Sequence, residues 1–347
     1  MERSYTFTEQ RSSSVLVAAG AEAQLPEVVA SLKPDGLFVV YDEAVVAAAD
    51  RIQATLSPRH TVAVPGGDSA KRLEIVGNLA EHLHRAGATR ASVLLAIGGG
   101  AITDLCGFAA SIFLRGIPFV SCPTTTLAMC DAALGGKNGI DHCGLKNRLG
   151  TIRQPDAIVM DTNWLATLPE DMYREGLVEV VKKAAVLDSE RFAELEALAP
   201  KLMKRDAEAT RRTIEMAIEM KMAVVVDDQR EGDRRRALNA GHTIGHAIES
   251  SAAGSLRHGH AVAMGLLAEC RAASVDTEIA ERIGALLAAI GVATDIPENL
   301  RNGAELWQLA QRDKKAMRGS VPMFVPRRLG EGEIAELTEP MLHRAVS

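Results

Sequence analysis

Short apolar runs alternate with helical patterns along the first half of the chain, and helical patterns dominate the second half. Residues 15–18 and 37–42 read as buried strands bounded by Gly and Pro, with helical spacing over 22–32 between them. A helix over 43–56 leads to a strand at 60–64 and the turn Pro65-Gly66-Gly67-Asp68-Ser69-Ala70-Lys71. Residues 92–97 form another buried-strand pattern that runs into Gly98-Gly99-Gly100, with a helix opening over 101–104. A further strand-and-turn unit spans 119–126, and residues 131–147 read as a polar, glycine-rich loop. Parallel strands alternating with helices predict an α/β, doubly wound sheet whose ligand crevice lies at the carboxyl ends of the strands. From about Leu168 strand signals almost vanish. The boundary therefore falls between 165 and 170, giving a nucleotide-binding domain over 1–168 and a mostly α-helical domain over 169–347, with a late hairpin around 321–325.

A chain of 347 residues is long enough for two cores and a cleft. Its net charge of −6 offers no basic field for nucleic acid, and the basic cluster at 204–212 reads as a solvated helix face. The five cysteines are odd in number and lack CxxC spacing, which suits reduced thiols. No run approaches the roughly 20 apolar residues that cross a bilayer, and the first residues are polar where a leader would be apolar. A cytoplasmic protein without membrane or nucleic-acid partners is the expectation.

Chemistry concentrates where four of the nine histidines fall between residues 239 and 260. His242 and His246 share a helix face, and neutral imidazoles so gathered suit Zn²⁺; hydrogen-bonded helix surface is the alternative. Three glycines at a strand-to-helix turn suit a pyrophosphate or simply a tight turn. The hydroxyls of Thr124, Thr125 and Thr126 suit ribose and phosphate oxygens or helix capping. Glu179 and Lys182 lie three apart on one helix, the ordinary reading being a surface ion pair. Lys221 interrupts an apolar segment, 220–226, and Arg234-Arg235-Arg236 precede the histidines.

The order and spacing of these pieces resemble the 3-dehydroquinate synthase family of sugar phosphate cyclases from about Val15 to Pro326. The landmarks are PGGDSAK, GGGAITDL, LRG at 114–116, PTT at 123–125, DAALGGK, KN at 146–147, DTNWLATLP, GLVEVVK, RRALNAGHTIGHAIE, RHGHAV and DKK. The resemblance implies a Rossmann-like N-terminal domain holding NAD, a helical C-terminal domain holding a divalent metal (zinc, or cobalt), a phosphorylated keto-sugar substrate between them, and a homodimer. It assigns the metal to Glu179, His242 and His258. Substrate falls to Asp131, Lys137, Asn147, Lys182, Lys221, Arg235, Asn239, His246 and Lys314, with Arg115 arriving from the other subunit. NAD falls to Asp42, Asp68, Lys71, Gly99, Gly100, Asp104, Thr124, Thr125, Lys137, Lys146, Trp164, Thr167 and Leu168.

The implied activity converts 3-deoxy-arabino-heptulosonate 7-phosphate to 3-dehydroquinate and phosphate, with NAD regenerated in each turnover. Lys221 and Arg235 stand at the spacing of the family's carboxylate-binding pair, and the intact GHTIGH supports the same substrate. Asn138, Asp141, Lys183, His260 and the NRLGT stretch depart from the common pattern. The alternatives are a sister cyclase, either 2-epi-5-epi-valiolone synthase-like on sedoheptulose 7-phosphate or an aminodehydroquinate synthase, and more distantly a glycerol dehydrogenase-like oxidoreductase or a non-enzymatic paralogue.

Overall fold

A computed structural model describes residues 12–229, 232, 234–313 and 320–347. The chain forms two compact units. One runs to Pro123 and resumes over Gly136–Asp161; the other takes Thr124–Gly135 and Thr162–Ser347.

The first unit carries β1 (Ser14–Ala18), α1 (Leu25–Ser31), β2 (Leu37–Asp42), α2 (Val46–Leu56), β3 (His60–Val64), α3 (Leu73–Arg85), β4 (Val93–Gly98), α4 (Gly100–Ile112) and β5 (Phe119–Pro123), then β6 (Lys137–His142), β7 (Leu145–Ile152) and β8 (Ala157–Asp161). Six strands form one sheet in the order β1-β8-β5-β4-β2-β3, every pair parallel. The strands β4, β5 and β8 are buried throughout, which is why they read as unbroken apolar runs rather than alternating ones. After β2 the chain moves outward to β3, and after β4 it moves the opposite way to β5. The carboxyl ends of β2 and β4 therefore flank a topological switch point, where the loops part and leave a crevice.

The stretch 131–147 is not one loop. It opens with a π-helical turn, Ala128–Ala132, and its second part enters the antiparallel hairpin β6–β7. Sequence pattern hid the hairpin because β7 is largely exposed and shows no apolar alternation. Packing holds it instead. Asn138, buried, donates to the carbonyls of Gly136 at 3.0 Å and Arg153 at 2.9 Å, and any side chain at Gly107 would meet its amide. Asp141 Oδ1 accepts the Asn147 N–H at 2.8 Å across the hairpin end. Two departures from the family pattern, Asn138 and Asp141, thus brace the hairpin.

The second unit carries α5 (Glu170–Leu187), α6 (Ser189–Leu202), α7 (Ala207–Asp227), α8 (His242–Ser251), α9 (His258–Ala272), α10 (Thr277–Ala289), α11 (Gly303–Asp313), the hairpin β9 (Val321–Arg328) and β10 (Glu331–Leu337), and α12 (Glu339–Val346). Asp188, Asp206 and Asp276 start α6, α7 and α10 by accepting first-turn N–H groups. The segment Thr124–Gly135 belongs here because α5 admits it closely: a Cβ at Gly176 would fall 2.3 Å from the Leu127 nitrogen. Apolar faces of α8, α9, α11 and α12 close on β9 around Leu306, Trp307 and Val321. The basic stretch at 204–212 is less solvated than its composition implies. Arg205 lies over the Tyr173 ring and donates to the Leu165 carbonyl, while Arg211 and Arg212 pair with glutamates. Among the described residues no helix is long and apolar enough to cross a membrane.

Candidate functional site

The histidine motif folds as two helices joined by glycine. A Cβ at Gly265 of α9 would fall 2.3 Å from the Gly241 carbonyl and 2.4 Å from the Gly245 nitrogen, so the glycines let α8 lie directly on α9. Gly241 takes the left-handed conformation, φ 77°, and no neighbouring side chain caps α8. Glu269, fully buried on α9, does so across the helix pair: its carboxylate accepts from Gly241 N at 2.8 Å and Ile244 N at 2.9 Å. Glu269→Ala leaves two buried N–H groups without that acceptor. It should cost about 2–4 kcal/mol in urea unfolding, with Glu269→Gln losing less; unchanged stability in both would remove the capping role.

This cap aims His242 and His246 at His258, the first residue of α9. The three rings lie 4.9, 5.3 and 5.7 Å apart by centroid, and one nitrogen from each falls within 4.8 Å of the others. Glu179 arrives from α5, with Oε1 3.6 Å from His258 Nε2 and 3.9 Å from His242 Nε2. Those separations are near the roughly 3.3–3.5 Å between donor atoms around tetrahedral zinc. The expected surface pair of Glu179 and Lys182 is instead buried, at 0% and 2% exposure. Lys182 Nζ lies 2.8 Å from Glu179 Oε2 without hydrogen-bond geometry, so both carboxylate oxygens are buried with no hydrogen-bond partner. Lys182 balances the charge on the Oε2 side, and Oε1, facing the histidines without a hydrogen-bond partner, is left open to coordinate a metal cation.

Charge in this cluster fits that demand. Burial, reinforced by Lys182, His246 and His258, holds His242 well below the usual histidine range, leaving a neutral donor. His242 Nδ1 lies 3.2 Å from the Ala240 carbonyl; donating there, it leaves the lone pair on Nε2, the atom facing Glu179. His258 is opposed by burial, yet the carboxylates of Glu179 and Glu249 raise it to about 10. Its proton answers the same need that a metal ion would. Glu249 Oε2 holds His258 Nδ1 at 2.8 Å, turning Nε2 toward Glu179. One carboxylate, neutral His242 and His258 once its Nε2 proton is displaced form a donor set that fits a divalent metal.

Close to this cluster, Lys182 donates to the Leu238 carbonyl at 2.5 Å and approaches His242 Nδ1 at 3.3 Å. Asp131, in the π turn, pairs with Lys183 and Lys221, each at 3.0 Å. Arg235 is buried, its guanidinium held by the carbonyls of Gln229 and Gly135 at 2.9 and 3.0 Å. Gly135 has φ 87°, and a Cβ there would fall 2.9 Å from Arg235 Nη2. Asn239 ends the short 3-10 helix Arg234–Asn239 just before the histidines. His260 Nε2 is buried without a hydrogen-bond partner. Lys314 lies outside the described residues.

In the first unit, Asp42 ends β2 and accepts the Ala44 N–H at 2.9 Å, with Gly66 so close that a Cβ would fall 2.3 Å from its carboxylate. Across the switch point α4 begins at Gly100 after Gly99, and no side chain caps it. Its first amides thus lie at the crevice where a pyrophosphate fits. Lys71 Nζ meets Asp104 at 2.7 Å and also Asn147, which adopts φ 52°; exposed Lys146 pairs with Asp68 at 3.0 Å. Lys137 opens β6, exposed. Arg115, exposed, sits in a turn where Leu114, Arg115 and Gly116 have φ of 48°, 67° and 120°. In the second unit, Thr125 accepts the Ala128 N–H, as the capping reading expects, whereas the Thr124 hydroxyl is buried without a partner. Trp164 is buried, Leu168 half-buried and Thr167 exposed along or just after the 3-10 turn Thr162–Thr167.

Sequence reasoning missed Glu249, Glu269 and the part taken by Lys183. Glu269 has one legible signal, a lone carboxylate in the apolar stretch 261–270.

Residues 61–175 match the family model described as 3-dehydroquinate synthase N-terminal, and 176–316 match 3-dehydroquinate synthase C-terminal. The chain is 38% identical over 346 residues to 3-dehydroquinate synthase of Solibacter usitatus, covering 98% of this chain and 97% of that one. It is 36% identical over 311 residues to 3-dehydroquinate synthase of Pyrobaculum neutrophilum, covering 88% and 90%. Among solved structures it is similar to 2-deoxy-scyllo-inosose synthase complexed with carbaglucose-6-phosphate, NAD⁺ and Co²⁺ (TM-score 0.85, 24% identity, 96% and 95% coverage). It is also similar to 2-epi-5-epi-valiolone synthase from Streptomyces hygroscopicus with NAD⁺ and Zn²⁺ bound (TM-score 0.84, 25% identity, 99% and 98% coverage).

Proposed function

The chain belongs to the 3-dehydroquinate synthase family, and from that membership we propose that it is an NAD- and metal-dependent cyclase converting 3-deoxy-arabino-heptulosonate 7-phosphate to 3-dehydroquinate and phosphate. The observation that carries the reading is the convergence of Glu179, His242 and His258 around a buried carboxylate whose oxygens have no hydrogen-bond partner. A divalent metal held by these three residues would supply polarisation of a substrate hydroxyl oxygen, and NAD held at the switch-point crevice would supply a reversible hydride acceptor.

The remaining side chains bind, orient and compensate charge. Lys182, fixed by the Leu238 carbonyl, supplies a buried cation beside Glu179. His246 and Asn239 serve the phosphate, and Lys221 and Arg235 the carboxylate. In the first unit Asp42, Gly99 and Gly100 stand at the crevice and, with Asp68, Lys71, Asp104, Lys137 and Lys146, serve NAD; Asn147, tied to Lys71, serves substrate. The positive φ values of Leu114 and exposed Arg115 are strained for residues other than glycine, and strain of this kind is kept where a side chain must be presented. Arg115 completes the phosphate site of a second copy, making the enzyme a homodimer.

Incubation with 3-deoxy-arabino-heptulosonate 7-phosphate, NAD and zinc should release phosphate with no net NADH. Release from sedoheptulose 7-phosphate alone would put a valiolone-type cyclase in its place, and stoichiometric NADH without phosphate would select a dehydrogenase.

A further inference from the structure

Lys182 and Lys183 are consecutive on α5, and both are buried. Burying an ammonium group requires a compensating partner, and each has found a different carboxylate. Lys182 has Glu179. Lys183, at 0% exposure, donates to the Cys130 carbonyl at 2.6 Å and to Asp131 Oδ1 at 3.0 Å. Asp131 Oδ2 is met by Lys221 at 3.0 Å, and Lys221 also donates to the Asp131 carbonyl at 2.8 Å. The π turn Ala128–Ala132 thus presents two carbonyls and one carboxylate to two lysines. The Asp131 side chain keeps 26% exposure, so the cluster has an accessible edge.

Burial pushes Asp131 upward, but Lys221, Lys183 and Lys182 outweigh it and hold the carboxyl well below its usual range. Two lysines, Lys183 and Lys221, therefore share the one carboxylate of Asp131, one net positive charge. Without Lys183 the set is neutral, and Asp131 matches Lys221 one to one.

We propose that Lys183 is a positioning and specificity-determining residue: by sharing Asp131, it leaves Lys221 with uncompensated positive charge toward the carboxylate of a polyhydroxylated acid. The proposal rests on the carboxylated-substrate reading above. Supporting it, burial lowers Lys221 to about 8, with Asp131 opposing and Lys183 adding to the fall, so the two ammonium groups act on each other through one carboxylate.

The test uses full-length Lys183→Met and Lys183→Gln, both neutral, with Lys183→Arg as the charge-keeping variant. Lys183→Gln retains a donor for the Cys130 carbonyl and serves if Lys183→Met fails to fold. The neutral variants should raise KM for 3-deoxy-arabino-heptulosonate 7-phosphate about tenfold to hundredfold, leave kcat within about threefold, and leave KM for sedoheptulose 7-phosphate unchanged. Lys183→Arg should restore much of the loss. Calorimetric titration with quinate, and with its uncharged amide as control, reads the same charge without turnover. Quinate affinity should fall in the neutral variants while the amide's does not. Equal losses for charged and uncharged ligands, unchanged quinate affinity, or a wild type that binds quinate no better than its amide would each overturn the proposal. If the wild type releases phosphate from neither substrate, the assigned reaction falls, and the quinate titration still decides the role of Lys183.

Discussion

His258→Ala is expected to lose its metal on dialysis and to lower kcat/KM by about a thousandfold or more. Removing His258 takes away the Nε2 that faces Glu179 Oε1, and it takes from Glu249 the ring nitrogen that its Oε2 meets at 2.8 Å. Glu179 is completely buried on α5, with Lys182 then its main compensating charge. Two ligand sets compete on geometry, since His246 lies within the same imidazole group as His242 and His258. The companion substitution His246→Ala separates them. If His246 serves the phosphate, the variant keeps about one metal per chain and suffers mainly in turnover. Metal lost from His246→Ala and kept in Glu179→Gln would transfer the carboxylate's place to the third imidazole. Metal content measured by elemental analysis after dialysis reads both without an assay of activity.

What could be read from the residues follows the range of the forces involved. Parallel central strands such as Val93–Gly98 are visible because burial on both faces leaves a continuous apolar run, and the ensuing glycines mark the turn into α4. Caps such as Asp188, Asp206 and Asp276 are local and equally visible. The β6–β7 hairpin is not, since Asn138 and the close approach at Gly107, distant in sequence, hold it. Nor is the cap on α8, which exists only once Glu269 has been brought over by helix packing. Spacing put Glu179 and Lys182 on one face, but whether that face is wet or buried is decided by the surrounding elements. The glycines around His242 were legible as sites of close approach; that a helix rather than a ligand approaches them needed the structure.

Arg235→Ala should lower kcat/KM on the carboxylated substrate by about two to four orders of magnitude and on sedoheptulose 7-phosphate by no more than about tenfold. Arg235 is positioned before any substrate arrives: its backbone N–H donates to Asp228 Oδ2 at 3.0 Å, and two guanidinium N–H groups donate to the carbonyls of Gln229 and Gly135. Those carbonyls fix the plane of the group, and a planar fork held in one orientation is suited to recognising a carboxylate. Gly135 must stay small for the guanidinium to reach its carbonyl, so Gly135→Ala should imitate the arginine variant, with smaller losses and the same preference. The positive φ of 87° adds backbone strain to that variant, and thermal unfolding of both proteins separates strain from recognition. Losses in Arg235→Ala that are equal on the two substrates would assign the arginine to holding the Gln229 and Gly135 backbone in place, and the carboxylate would then rest on Lys221 alone.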